Sequence, residues 1–261
     1  MKMKIVHMVN AIELPPGPHP AYLHIAQPVT LQSMLNAKQM AVGVAEVELV
    51  ATRHRNEQIP LPAGFVDAPS FDRYCYEVYD ELRGLPKPRH LPLLADLMKG
   101  FAYVPNADWC VFTNVDIGVQ PHFYLEVARL IGTGLDAFCI NRQNLPKEAY
   151  GVVLDAEHLP LIYATAGEKA GGTDCFIFRS AFLPKLRLGR VFVGYPPIGQ
   201  VLRKQIEALA DRFDWFWEER LTFHLGNDRV WRDDGSCYQK VNLEEEQRIL
   251  AGAGMQRLGL A

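Results

Sequence analysis

The opening of the chain constrains the fold most. Ile5 to Val9 reads as a buried strand, a helix follows from about Leu31 to Ala41, and Val47 to Ala51 is a second strand. Leu31, Met34, Leu35 and Lys38 recur at helical spacing, announced by Pro28 and Thr30, and a Pro/Gly-rich loop from Leu14 to Pro20 precedes them. Strand, loop, helix, strand is the unit that builds a parallel sheet through a right-handed crossover.

Further along, the alternation continues. Pro92 to Tyr103 places Leu93, Leu94, Leu97 and Met98 on one helical face, and Asp108 to Asp116 is a buried strand. His122 to Ile131 is helical, Asp136 to Asn141 is a strand, and Gly151 to Lys169 is helical in part. Gly171-Gly172 reads as a flexible loop before a strand from Thr173 to Arg179, and Ile198 to Phe213 is the strongest amphipathic helix. Leu221 to Leu225 is a short strand, while Arg53 to Leu91 yields only a short helix near Tyr74 to Leu82. The expected class is α/β: a single domain with a central, mostly parallel, Rossmann-like sheet flanked by helices.

The 261 residues carry a net charge of −3 with Lys and Arg dispersed, so no nucleic-acid footprint is visible and any phosphate partner should be small. Five cysteines without a C-x-x-C pair favour reduced thiols and a cytoplasmic setting. No segment reaches the roughly 20 apolar residues of a membrane span. The oligomeric state stays open.

Four polar clusters carry the chemistry. Asn114 and Asp116 stand two positions apart where a strand leaves the sheet, so a period of two projects them to one side, and an N-x-D there is either an Asx cap or a ligand pair. His224 and Asp228 flank the glycine of Thr222-Phe223-His224-Leu225-Gly226-Asn227-Asp228-Arg229; an imidazole beside a carboxylate suits manganese or magnesium at a diphosphate. Asp174 follows the paired glycines and can accept sugar hydroxyls or act as a base, and Arg142, after Asn141, presents a planar fork to a phosphate. Trp215, Trp217 and Trp231 are either stacking surfaces or core. A P-loop, a G-x-G-x-x-G turn and a G-x-S-x-G elbow are all missing.

Together, Lys4-Ile5-Val6-His7-Met8-Val9-Asn10, Phe112-Thr113-Asn114-Val115-Asp116-Ile117, Gly172-Thr173-Asp174-Cys175-Phe176-Ile177-Phe178 and the segment around His224 resemble GT-A-type nucleotide-diphospho-sugar glycosyltransferases. The resemblance implies a D-x-D-like motif with Asn114 in the first place and Asp116, the firmer metal ligand, in the second. It implies His224 as a further metal ligand, Val9, Asn10 and Ala11 near the nucleotide base, and Asp174 or Asp228 as the catalytic carboxylate. Asn114, Asp116 and Arg142 would hold the donor, a nucleotide-diphospho-sugar, with a divalent cation. About residues 1–120 would form the nucleotide-binding half and about 121–250 the acceptor side. The implied activity is metal-assisted sugar transfer to an unidentified acceptor. The alternatives are a nucleotidyltransferase of the same fold, against which the proline-rich loop after the first strand counts, and a non-catalytic sugar- or nucleotide-binding member, which Asn114 motivates.

Overall fold

A computed structural model of the chain describes residues 2–14, 16–17, 22–86, 88–146, 156–225 and 236–252. One nine-stranded sheet runs through it. Strand β1 (Met3–Asn10) lies between β2 (Ala45–His54) and β4 (Trp109–Thr113), and β3 (Phe65–Phe71) forms one edge. These four are parallel in the order β3-β2-β1-β4, the Rossmann arrangement. Beyond β4 come the antiparallel β7 (Glu168–Arg179), then β6 (Ala137–Asn144). The far edge of β6 is shared: β8 (Phe213–Phe216) pairs with its first half and β9 (Thr222–His224) with its end, and β9 in turn holds the short β5 (Ile117–Val119). Among the described residues only β7 and β5 run against the common direction, so the sheet is mostly parallel and the α/β expectation holds.

The strand period of two divides the core. Ile5 and Val9 of β1 join Val111 of β4 on the face covered by helices α1 (Leu23–Met40) and α5 (Phe123–Gly132); Val6 and Met8 join Cys110 and Phe112 on the other face. That second face is covered by α4 (Leu94–Leu97 in chain order), its 3₁₀ continuation Met98–Tyr103 and α7 (Ile198–Leu209). Two short helices, α2 (Cys75–Val78) and α3 (Asp80–Arg83), lie between β3 and α4, and α6 (Leu159–Ala164) precedes β7. All five cysteines are free thiols. Among the described residues no helix is long and apolar enough to cross a membrane.

Several boundaries differ from the sequence reading, each for a packing reason. Helix α1 starts at Leu23 rather than Leu31 and runs through Pro28. A proline at that depth removes a hydrogen bond, but Ala26 and Val29 are buried against Leu159, Ile162 and Phe223, and that packing outweighs the local penalty. The segment from Arg53 to Leu91 contains β3, whose Pro69 is tolerated because the strand is an edge. The amphipathic helix stops at Leu209 because Ala210 turns extended, which frees Phe213 to begin β8. Tyr74 to Leu82 is two short helices and Pro92 to Tyr103 is mixed α and 3₁₀. Of Gly151 to Lys169, the part before residue 156 lies outside the described residues, and Glu168 already belongs to β7.

A last helix, α8 (Ser236–Gly252), carries no apolar stripe strong enough to read from sequence. It docks through buried polar groups: the Asn242 carboxamide accepts the Phe192 N–H and donates to the Phe192 and Tyr195 carbonyls, and Glu245 accepts the Arg190 N–H.

Candidate functional site

The site lies at the C-terminal ends of β1 and β4. The chain leaves β1 for β2 and β3 on one side and returns to β4 on the other, which makes this crevice the topological switch point of the sheet. Strand β4 ends at Thr113, so Asn114 and Asp116 are not strand residues as expected. They occupy a β-turn closed by the Ile117 N–H on the Asn114 carbonyl at 3.1 Å. The turn is pinned on several sides. Val115 is buried in the core and its N–H donates to Asn10 Oδ1 at 3.1 Å; the Asp116 carbonyl accepts the Leu225 N–H at 3.1 Å.

His224 is brought in by the pairing of β9 with β5, where it sits opposite Ile117. That pairing presses the Phe223 ring onto Gly118 so closely that a Cβ there would lie 2.2 Å from it, and only glycine fits. The buried imidazole Nε2 faces Asp116 Oδ2 at 3.2 Å. About a quarter of the Asp116 side chain stays exposed (26%), while its Oδ1 is shielded and has no hydrogen-bond partner among the described residues. Burial pushes the Asp116 carboxyl upward, but the His224 imidazole and the Arg142 guanidinium outweigh it and hold the group below the ordinary carboxylate value.

Arg142 and Asp174 meet across β6 and β7. Arg142 Nη1 lies 2.9 Å from Asp174 Oδ2, both side chains are largely buried, and the Asn114 carboxamide donates to Asp174 Oδ1 at 3.4 Å. The two carboxylates are therefore linked through one turn. The paired glycines are not a flexible loop: they belong to β7, within an irregularity where Asn141 pairs with Thr173 and Gln143 already pairs with Lys169. Ala170, Gly171 and Gly172 thus stand opposite the single Arg142, two residues more than a regular ladder has, a bulge of the kind that re-aims side chains. Asn141 stabilises it by donating to the Ala170 carbonyl at 2.7 Å. A Cβ on Gly172 would lie 2.8 Å from Asp174 Oδ2, so glycine is what lets this carboxylate fold back onto Arg142.

Asn114, Asp116, Arg142, Asp174 and His224 come together. Val9 and Ala11 have side chains inside the core, and the Ala11 N–H is taken by the Thr52 carbonyl. Asn10 is largely buried and holds the turn. Asp228 lies outside the described residues. Sequence reading did not single out Thr113, His7 or Tyr124, which lie beneath the turn: His7 Nε2 meets Thr113 Oγ1 and His7 Nδ1 meets the Tyr124 hydroxyl, both at 2.8 Å. A histidine two residues into an apolar strand was the available signal.

For a cation, the donor set is a carboxylate and an imidazole. Neighbouring ligands of an octahedral ion at about 2.1 Å stand about 3 Å apart, close to the observed His224–Asp116 separation. Among the described residues no three His, Cys, Asp or Glu side chains gather to hold a metal. A magnesium- or manganese-type ion needs no more than one or two protein ligands when phosphate oxygens and water complete its shell, so the pair fits such a shared ion. A separate cleft of about 320 Å³ between α3 and α8, bordered by Tyr79, Arg190, Glu245 and Arg248, includes none of these residues.

No family model matches the chain, and no curated protein matches it. Among solved structures it is similar to Staphylococcus aureus TarS 1-349 in complex with UDP-GlcNAc, at 10% identity and a TM-score of 0.44, over 85% of this chain and 58% of that one. It is also similar to glucosyl-3-phosphoglycerate synthase from Mycobacterium tuberculosis, in complex with Mn²⁺, UDP and glucosyl-3-phosphoglycerate, at 14% identity and a TM-score of 0.48, over 99% and 82%. A third is a proposed nucleotide-diphospho-sugar transferase from Desulfovibrio desulfuricans G20, at 12% identity and a TM-score of 0.41, over 97% and 98%. At such identities and scores these likenesses carry nothing about what this chain binds.

Proposed function

We propose that the protein is a GT-A-type glycosyltransferase that moves a sugar from a nucleotide-diphospho-sugar to an acceptor with the help of a divalent cation. The supporting observation is the convergence at the switch point of five polar side chains from separate segments: Asn114 and Asp116 on one turn, Arg142 on β6, Asp174 on β7 and His224 on β9. Such a gathering of charge at the C-terminal edge of a mostly parallel sheet suits an anionic ligand with a polar, uncharged appendage.

In this reading Asp116 and His224 would hold the cation, manganese or magnesium, at the donor diphosphate. Bound there, the ion supplies positive charge to the departing nucleoside diphosphate. Asp116, ionised throughout the neutral range, is ready to ligate without first losing a proton. Arg142 faces the diphosphate with its planar fork, and Asn114 and Asp174 bind sugar or acceptor hydroxyls. Asp174 or Asp228 takes the acceptor proton if the reaction inverts configuration. The nucleoside lies against the first half of the chain, where the backbone of Val9 to Ala11 and the end of β2 border the crevice. Unpaired cysteines suit a reducing, cytoplasmic setting.

Isothermal titration of the full chain with UDP, GDP and their sugars, with and without Mn²⁺, tests the proposal. Saturable binding strengthened by Mn²⁺ is the expected result. Absence of binding to every nucleotide in both conditions overturns it.

A further inference from the structure

Trp215 and Trp217 have no part in the site as described, yet they stand at its border. Phe216, the last residue of β8, pairs with Ile140 of β6, so Trp217 leaves the ladder where β6 goes on to Asn141 and Arg142. Trp215 is fixed: its indole N–H donates to Asn141 Oδ1 at 3.2 Å, and the Arg203 guanidinium lies over its ring at 4.6 Å. Trp217 packs on it with ring centroids 4.3 Å apart and remains 42% exposed. An exposed indole ring backed by a second, immobilised indole is a preformed flat apolar surface with a polar surround.

We infer that Trp217 is a stacking platform for a pyranose ring of the acceptor, so that the acceptor is itself a carbohydrate or carries one. The inference rests on the glycosyltransferase reading for the word acceptor, but the platform is an observation of its own. A pyranose has an apolar C–H face that lies flat on an aromatic ring and a rim of hydroxyls that donate hydrogen bonds. The surroundings of Trp217 match both needs. The exposed Glu218 and Glu219 follow it directly, Lys169 of β7 pairs with Glu218, and Arg220 comes next, a polar rim of carboxylates and cations that can accept from and donate to sugar hydroxyls. In front of the bulge the surface is open, since a Cβ on Gly171 would meet nothing within 4 Å. The connection to the chemistry runs through Asn141. Its carboxamide holds the Trp215 indole on one side and the Ala170 carbonyl on the other, so platform and bulge share one anchor.

Saturation-transfer NMR on the full chain with Mn²⁺ and UDP present, using maltose, cellobiose, N,N′-diacetylchitobiose and methyl α-mannoside as probes, tests this. At least one probe should receive saturation on its ring C–H protons. That signal should be lost or the affinity roughly five- to tenfold weaker in Trp217→Ala, and largely kept in Trp217→Phe, with UDP binding and thermal melting unchanged in both. No transfer to any of the four probes, with UDP binding intact, overturns the platform and leaves the donor reading standing. Transfer that persists in Trp217→Ala also overturns it. Saccharide transfer that depends on Trp217 without any nucleotide binding supports the platform and removes the donor reading instead.

Discussion

Two histidines approach the same turn, and the molecule uses them in opposite ways. His7 lies beneath it, fully buried, with one ring nitrogen on Thr113 and the other on Tyr124. Burial pushes its imidazole down to about 3, so it is neutral and both nitrogens are occupied. His224, equally shielded, turns its Nε2 toward a carboxylate that is partly open to solvent and has an oxygen to spare among the described residues. The closed network under the turn lends rigidity, whereas the open pair above it retains capacity for a ligand. Buried polarity by itself does not mark a site; what marks it is polarity left incompletely used at an edge that solvent reaches.

The contrast is broken or sharpened most strongly at Asp116. Asp116→Asn keeps the shape and removes the charge; it should weaken Mn²⁺-dependent nucleotide-sugar binding or turnover on the order of 100-fold, with the thermal midpoint little changed. A variant with wild-type activity would place the chemistry elsewhere. At His7 the expectation is reversed. His7→Ala should cost roughly 2–4 kcal/mol in urea unfolding, because it leaves a cavity and strands the Thr113 and Tyr124 hydroxyls.

The same residue predicts a pH dependence. The folded state accepts only the neutral imidazole, so the contribution of His7 is complete above its ordinary value of 6.5 and is lost as pH falls from there toward 3. Wild-type stability should therefore decline at about 1.4 kcal/mol per pH unit below 6.5 on this account, and His7→Gln should lack that slope. Asp116 also loses its contribution on acidification, but in a lower pH window and because its charged form is the one the fold favours. Its depressed carboxyl contributes fully above the ordinary carboxylate value and is lost only in stronger acid, so it should leave nucleotide binding flat between neutrality and mild acidity.

The smallest effects separate the two glycines of the bulge. Gly171→Ala meets open space and should change stability by no more than about 0.5 kcal/mol. Gly172→Ala displaces the Asp174 carboxylate from Arg142, and its effect should fall on binding more than on melting. Equal behaviour of the two variants would argue that the Arg142–Asp174 geometry is not needed.

How legible this was differed along the chain. The three parallel strands β1, β2 and β4 announce themselves because each is largely buried on both faces and needs only apolar runs such as Trp109 to Phe112. The second half is harder. The start of strand β8 is hidden, because Phe213 keeps the helical phase of Leu209 and reads as the last residue of the helix. Helix α8 is held by Asn242, Glu245 and Glu246, whose burial no apolar periodicity reports. At the site, the four polar clusters were visible as residues, but that the Asn10 carboxamide holds the turn left no local signal. Likewise the paired glycines read as a flexible loop and proved to be a bulge in a paired strand.

By itself the sequence determined which segments would bury themselves as strands and helices, since alternation and helical spacing are local properties of side-chain chemistry. It also determined which polar residues stood at segment ends. Only the tertiary structure decided that Asp116 faces His224 and that Arg142 reaches Asp174, separated in the chain by 108 positions and across two strands respectively. Such pairings depend on strand order and on a two-residue bulge, which are set by the packing of the whole sheet and leave no period in the chain.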